Sequence, residues 1–421
     1  MSTATPTVHL SSLAGSSLLD SGGQRLGRVT DVVARLDASE PLPPVVGLTA
    51  SIGGRHMFVP IGRVAELGAG VARTGTTKLN LAQFERRPGE ILLRRDVLDR
   101  SLINVATAHL VKAREVDLVR QDGVWRVAGV DPSLGPRLQR LLPRRFRTHE
   151  TEHHEFIPWN QLEAFVAHVP TSRLKLASRR LLRLHPAQIA DLVEAASHEE
   201  GEEILEAVGQ DKELEADVFE ELDDEHQVEF LRDRSDQQVA AVLGRMEADD
   251  AADLLLEMEQ DRRLPILGLL PSGRQAKLRA LLGHNPATAG GMMNPDFVSA
   301  SVDNTIDAVL GQIRASHLGP QQVDAICAVD AEGRLCGLVL LGELVLARSG
   351  TRVGDLVETQ LPSVTPETDL PEVAIHMSDY NLVALPVVDS DGRPVGMIGV
   401  DDVLEQLLPE EWRRRTGAAR R

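Results

Sequence analysis

The sequence predicts an α+β multidomain chain. It reads as an N-terminal small β-barrel repeat, a central α-helical superhelical array and a C-terminal α/β pair. Three observations predict this. Gly-Gly turns between alternating apolar runs recur near the N-terminus. Residues 184–283 fall into eight segments of similar length, such as SHEEGEEILEAVG, SDQQVAAVLGRM and EADDAADLLLEM. From Met292 onward, a strand, helix, strand, Gly turn, strand and helix pattern occurs twice. The expected boundaries are 1–168 for the β region, 169–183 for a basic connecting helix, 184–286 for the helical array, 287–408 for the α/β pair and 409–421 for an Arg-rich tail.

In the β region, Gly22-Gly23 marks a turn and the following strand alternates Val29, Asp31, Val33. A second Gly-Gly turn, Gly53-Gly54, separates the next two strands. A second, weaker copy ends in FIPWNQLEAF, which matches FVPIGRVAEL of the first in shape, and both endings place Pro before what reads as a short helix. Gly23, Leu26, Gly27, Val29 and Asp31 fit the first-hairpin motif of the PRC-barrel family, which this region resembles. The resemblance implies a module for protein contacts or tethering, without chemistry of its own. His149-Glu150-Thr151-Glu152-His153 matches the zinc-protease signature, but no apolar residue lies between His149 and Glu155 to bury a helix. It reads as a polar loop and a chance match. The segment SRLKLASRRLLRL, with Arg173, Lys175, Arg179, Arg180 and Arg183, reads as a basic amphipathic helix.

A repeat as short as those of the array cannot bury its apolar face alone, so neighbours must stack. Ser197, Asp211, Asp223 and Ser235 stand where N-caps belong. Residues 184–262 hold 26 Asp and Glu against 5 Lys and Arg, a local charge of −21, while the whole chain carries −18. Carboxylates so crowded repel one another, which hydration and salt can relieve, or a hard divalent cation with its preference for oxygen ligands.

In the C-terminal pair, Asp330-Ala331-Glu332-Gly333 and Asp389-Ser390-Asp391-Gly392 fall at matching places. This stretch resembles a pair of CBS domains. Such pairs often hold adenine nucleotides through a Ser or Thr and an Asp, but the hydroxyl positions are Leu340 and Gly399 here, and Glu343 replaces one Asp. Adenine nucleotide binding is therefore expected to be weak or absent. The two cysteines, Cys327 and Cys336, flank the first turn. If a hairpin forms, the two thiols are expected to face each other across it, either as buried core thiols or as an oxidisable pair. No CxxC motif is present.

The array, the TAGGMM junction at 288–293 and the CBS-like pair together resemble the cytosolic half of the MgtE family of magnesium channels, without the membrane pore. The phrases LHPAQIADL, DDAADLLLEM, TAGGMMNPDFVSA, LVALPVVD and GMIGVDDVL carry the resemblance. It implies Mg²⁺ bound between array and CBS pair, with metal-binding carboxylates at Asp217, Asp249, Asp253, Asp402 and Glu405. Two positions depart from the family pattern, Asn381 and Pro371 standing where acids are expected. For Asp249 and Asp253 the alternative is an N-cap plus an acid that complements the helix dipole.

Composition narrows the function. An acidic chain with 3% aromatic residues argues against a nucleic-acid partner. No apolar run reaches the roughly 18 residues a membrane span needs, and residues 1–6 are short and polar. No nucleophile–base pair, P-loop or dinucleotide fingerprint appears, so no catalytic activity is expected. The expectation is a cytoplasmic, soluble, magnesium-responsive regulatory or adaptor protein. By analogy it is a homodimer through the CBS pair, with a separate membrane transport protein as a further partner. The alternatives are a non-catalytic scaffold or an accessory subunit of a magnesium transport system.

Overall fold

The computed structural model describes residues 7–36, 40–68, 70–76, 82–133, 156–164, 181–316, 318–319, 321–357 and 362–408. The His149–His153 motif, most of the basic segment at 172–184 and the Arg-rich tail lie outside these residues. The chain divides into two compact units, residues 1–214 and 215–421.

The first unit is strand-rich. Strands β2 (Ser17–Leu19), β3 (Arg25–Arg35), β4 (Val45–Ile52) and β5 (Arg55–Pro60) form the middle of a larger sheet. It runs from β6 (Val64–Gly68) and β7 (Val71–Thr74) at one end to β8 (Ala82–Gln83) at the other, with β9 (Glu90–Leu92) paired to β3. Among the described residues, this is an open path of strands and its ends do not pair. The second set holds β12 (Glu115–Gln121) and β13 (Val124–Asp131), with β10 (Ser101–Asn104) in a small separate sheet. The two sets are not independent copies. The N-terminal strand β1 (Thr7–His9) pairs with β12, and Leu18, Val29, Leu48, Leu118 and Val127 share one core.

Both Pro-containing endings form the same local structure, with a correction. The residues after Pro60 and Pro158 make a single 3₁₀ turn, Ile61–Arg63 and Trp159–Gln161, and the chain then continues as strand rather than helix. The β-branched Val64 in the first ending and the pairing of Leu162 with Asn104 in the second favour extension. Asp31 has a clear role: its carboxylate accepts from the backbone N–H groups of Val32 and Arg94 at 2.7 Å and Arg95 at 3.1 Å, pinning the turn after β9 onto β3.

The array forms as its periodicity predicts. Its eight helices are α2 (Pro186–Ala195), α3 (His198–Val208), α4 (Lys212–Glu221), α5 (Asp224–Arg232), α6 (Asp236–Leu243), α7 (Ala248–Glu257), α8 (Gln260–Leu269) and α9 (Ser272–Leu281), α1 being the short Leu10–Leu13. Ser197, Asp223 and Ser235 accept from the backbone N–H three residues on, and Asp211 accepts from Leu214 at 3.3 Å. Within the second unit, helices two apart pack together, α6 on α8 and α7 on α9. Arginines bind these layers. Arg262 donates to the Arg232 and Arg234 carbonyls at and just beyond the end of α5, and twelve residues later Arg274 donates to the Leu243 and Glu247 carbonyls at and just beyond the end of α6.

The two α/β units repeat each other closely. In the first, β16 (Val298–Ser301) pairs parallel with β17 (Ala325–Val329), which pairs antiparallel with β18 (Leu335–Leu340). In the second, β19 (Ala384–Val388) pairs with β20 (Pro394–Gly399), and Val364 bridges Val387 in parallel. Both hairpin turns are held by their first Asp: Asp330 accepts from Glu332 and Arg334, and Asp389 from Asp391 and Arg393. A bulge follows at the same place in each. That bulge overturns the facing-thiol expectation. Cys327 lies opposite Leu338 and is buried, whereas Cys336 falls in the bulge and is only partly buried, so both stay free.

The junction is fixed to the second α/β unit. Ala289 and Gly290, in α10 (Ala289–Met292), donate to the Thr368 and Pro366 carbonyls, and Asn294 exchanges two backbone hydrogen bonds with Met397. A β-carbon on Gly291 would stand 2.5 Å from Pro286 Cα and the Asn285 carbonyl oxygen, so the backbone itself excludes a larger residue. Gly291→Ala should therefore destabilise the protein by about 1–3 kcal/mol in thermal or urea unfolding. A change within about 0.5 kcal/mol, the range of an ordinary surface substitution, would show that this close approach is absent in solution.

Candidate metal centre

The acids of the array converge at the start of α7. Its N-cap is Glu247, not Asp249, and the Glu247 side chain makes no capping bond. The reading of Asp249 as an N-cap thus falls. Asp249 and Asp250 occupy the first turn, and Asp253 lies one turn further along the face of Asp249. Ala251, Ala252, Leu254 and Leu255 bury the rest of the helix. Asp249 is buried at 7% exposure, and its Oδ1 finds no hydrogen-bond donor among the described residues.

A second group of acids comes from α14 (Val400–Leu407) of the last α/β unit. Asp402 accepts from the Gly399 N–H at 3.0 Å, closing the first turn. The same contact recurs in the other unit, where Glu343 accepts from Leu340 at 3.0 Å in α12 (Leu341–Leu346). Glu405 follows on α14, exposed.

The two groups act on each other electrostatically. Burial raises the Asp249 pKa well above the carboxylate range, and the charges of Asp402, Glu247 and Asp253 raise it further. Burial does the same to Asp250, helped by Asp249, Glu220, Asp402 and Glu247. Asp402 is pushed up to about 7 by burial, Asp401, Glu247 and Glu405, although the Gly399 N–H opposes this. Asp253 rises to about 6 through burial and the charges of Asp224, Glu257 and Glu405. Glu220 rises to about 7 through burial and neighbouring acids, against the Glu247 N–H it accepts at 2.6 Å. Like charges held together out of water disfavour ionisation, which is the common cause.

Of the five sequence-predicted ligands, the structure thus brings Asp249, Asp253, Asp402 and Glu405 into one field of mutual repulsion. Asp217 is exposed on α4, and its charge acts on Glu220. Sequence reasoning missed Glu220, Glu247 and Asp250. Glu247 and Asp250 stood in the same EADD phrase, but Glu220 carried no signal beyond the general acidity. The two departures have local explanations. Asn381 ends α13 (Leu370–Tyr380) with φ 52° and ψ 43°, a left-handed conformation that Asn tolerates, and Pro371 sits in the first turn of that helix, where its fixed φ is favourable.

These residues suit a hard divalent cation. The donors are all carboxylate oxygens, one is buried without a donor, and burial and mutual repulsion raise their pKa values. Among the described residues, no three of these acids bring oxygens within 4.8 Å of one another.

Known proteins resemble this chain in its helical array and its α/β pair. The MgtE intracellular N domain family matches residues 184–287, and the CBS domain family matches 289–350 and 353–409. A magnesium transporter MgtE of Thermus thermophilus is 33% identical over 200 residues, covering 46% of this chain and 44% of that protein. The chain thus spans less than half the length of that relative. The crystal structure of the cytosolic domain of the Mg²⁺ channel MgtE in complex with ATP superposes with a TM-score of 0.53 at 30% identity, covering 58% of this chain and 98% of that one. The soluble part of a magnesium transporter gives 0.51 at 22% identity over 57% of this chain and 94% of that one, a likeness of fold. No helix among the described residues is long and apolar enough to cross a membrane.

The raised values give a pH dependence. Asp253, Asp402 and Glu220 hold protons more tightly folded than unfolded, so they stabilise the folded state fully below about pH 4 and lose that contribution as pH rises through about 6 to 7. In EDTA, Asp402→Asn should remove part of the fall in melting temperature between pH 5.5 and 8, by a few degrees, since about 1 kcal/mol moves a domain of this size by roughly 2–4 °C. An identical slope in the variant and the parent would show that Asp402 is not in this repulsive field.

Proposed function

This chain belongs to the MgtE family, carrying its intracellular N domain and CBS pair, and on that premise we propose that it is a soluble, magnesium-responsive regulatory or adaptor protein. The observation that carries the reading is the mutually repelling set of buried Asp249 and half-buried Glu247, Asp250 and Asp402, drawn from the array on one side and the CBS pair on the other. Asp249, Asp253, Asp402 and Glu405 would hold Mg²⁺, with Asp217 contributing at the periphery. When bound, Mg²⁺ would supply two positive charges that offset several carboxylates at once. The acids themselves do the switching. Without a cation they push the acidic faces of α7 and α14 apart, and with their charge offset they let these two faces close. A ligand moves such an equilibrium only by its preference for one state, and here the closed state alone brings both sets of oxygens together.

Other features support the remaining parts of the proposal. Val345 and Leu346 on α12 and Leu404 and Leu407 on α14 are exposed apolar residues, at 66%, 87%, 49% and 49%, and fit a homodimer through the CBS pair. Sedimentation velocity that finds only monomer at micromolar concentration would remove this part. Leu340 and Gly399 leave adenine nucleotides without a hydroxyl partner, and a β-carbon at Gly399 would meet the Asp401 carboxylate at 2.2 Å. Calorimetric titration should accordingly detect little or no heat with ATP, and a clear isotherm would refute this. The N-terminal strands would serve as a tethering module of the small-barrel kind for a membrane transport protein; capture of such a partner undiminished by loss of residues 1–168 would argue against that.

Small-angle scattering in EDTA and in excess Mg²⁺ tests the central claim. The radius of gyration should fall on adding Mg²⁺, with a midpoint on the order of 10⁻⁴ to 10⁻³ M, the range of weak oxygen-ligand sites. Asp249→Ala combined with Asp253→Ala should abolish the response and raise the melting temperature in EDTA, because it removes repulsion. An unchanged radius in the parent protein would favour a constitutive scaffold. A double variant that melts lower in EDTA would mean that these acids serve only their own helix.

A further inference from the structure

We propose that Arg274, acting through Asp296, is a metal-independent latch that keeps the helical array docked on the junction when no divalent cation is bound. The inference rests on the metal reading of the neighbouring acids, and it concerns the part of the same interface that needs no metal.

Arg274 is the one described arginine of the second unit drawn into the acidic field from α9. Its side chain is 13% exposed. One face of the guanidinium donates to the Leu243, Met246 and Glu247 carbonyls, between the end of α6 and the start of α7. Nη1 lies 3.7 Å from Asp296 Oδ2, and Nε is buried without an acceptor among the described residues. Burial pulls the Arg274 pKa down, while the charges of Asp296, Asp249, Glu220 and Glu247 push it back up. Lys277, one turn further along α9, also pairs with Asp296.

Asp296 belongs to the junction rather than to the array. Its N–H donates to Asn294 Oδ1 at 2.9 Å, and the backbone of Asn294 is paired with Met397 of β20. The Asn294 side chain in turn donates to Glu247 at the start of α7. Residues 294–296 are therefore gripped from one side by the CBS pair and from the other by Glu247, Arg274 and Lys277. On the array side Arg274 and Lys277 offset the Asp296 charge and the Asn294 amide donates to Glu247, which leaves the repulsion between the Glu247 and Asp296 carboxylates as the one opposing contribution. The situation of Asp253 and Asp402 is different, because the charges acting on them are all negative. The interface thus divides into a part that is already charge-compensated and a part that is not.

The array contains its own control. Arg262 occupies the same place one repeat earlier, on α8, and donates to the Leu231, Arg232 and Arg234 carbonyls just as Arg274 does to its own set. Its carboxylate partner, however, is Asp236 of the array itself, at 2.9 Å. A role limited to binding successive layers would make the two arginines equivalent. A latch makes only Arg274 matter for docking on the junction.

Small-angle scattering on the full chain separates these readings. In EDTA, Arg274→Ala and Asp296→Asn should both expand the protein beyond the parent radius, and both should return to the parent's compact radius in excess Mg²⁺. Asp296→Asn leaves every carbonyl contact of Arg274 in place, so it reports on the latch even if Arg274→Ala loosens the helices. Arg262→Ala should lower the melting temperature without expanding the protein in EDTA. Arg274→Lys, which keeps the charge but not the fork, should expand it less than Arg274→Ala. The proposal is overturned if Arg274→Ala and Asp296→Asn keep the parent radius in EDTA, or if Arg262→Ala expands the protein equally. A parent protein whose radius ignores Mg²⁺ would sink the sensor reading, while the comparison of variants in EDTA would still decide the latch.

Discussion

Burial of like charges against like governs the second unit of this protein. Asp249 is nearly sealed from water, with one oxygen lacking a donor, and Asp250, Asp402, Glu247 and Glu220 stand close enough to raise one another's pKa. Removing a carboxylate from water is expensive unless something offsets its charge. The remaining features of the unit either bring these acids together or supply part of the compensation. A protein stable by only about 5–15 kcal/mol does not keep such a cluster without a use for it or a partner to it.

The means of assembling the cluster are ordinary. Short helices capped by Ser and Asp stack two apart, and Arg262 and Arg274 each tie their helix to the C-terminal end of the helix three steps back. The two α/β units bring the same hairpin, with an Asp-held turn and a bulge, and the same acid closing the first turn of the following helix. In one unit that acid is Glu343, which closes the first turn after Leu340. In the other it is Asp402, which faces the array's acids. Duplication thus supplied a local device twice, and position relative to the array gave one copy a second role.

Much was legible beforehand because it follows from local rules. Eight helices, four N-caps, two Asp-Gly hairpins and the acidic character of one region come from periodicity, turn chemistry and charge, each set within about a dozen residues. The misreadings were also local in origin. RVAEL looked helical but lies in a sheet, because strand pairing from elsewhere decided it. The two cysteines looked opposed, but one extra residue in the bulge shifts the register, and a shift of one residue changes every facing pair.

By itself, then, the sequence determined the element types, their order and the surplus of negative charge. Only the tertiary structure decided which acids share a space. Asp249 and Asp402 are 153 positions apart, and Glu220 joins them from a helix with no distinguishing motif. It also decided which acids meet a cation already present: Asp296 meets Arg274 and Lys277, while the charges that raise Asp253 and Asp402 are those of other carboxylates. The physical reason is that a carboxylate's pKa depends on burial and on charges within a few ångströms. Neither quantity exists for a residue until the chain has folded around it.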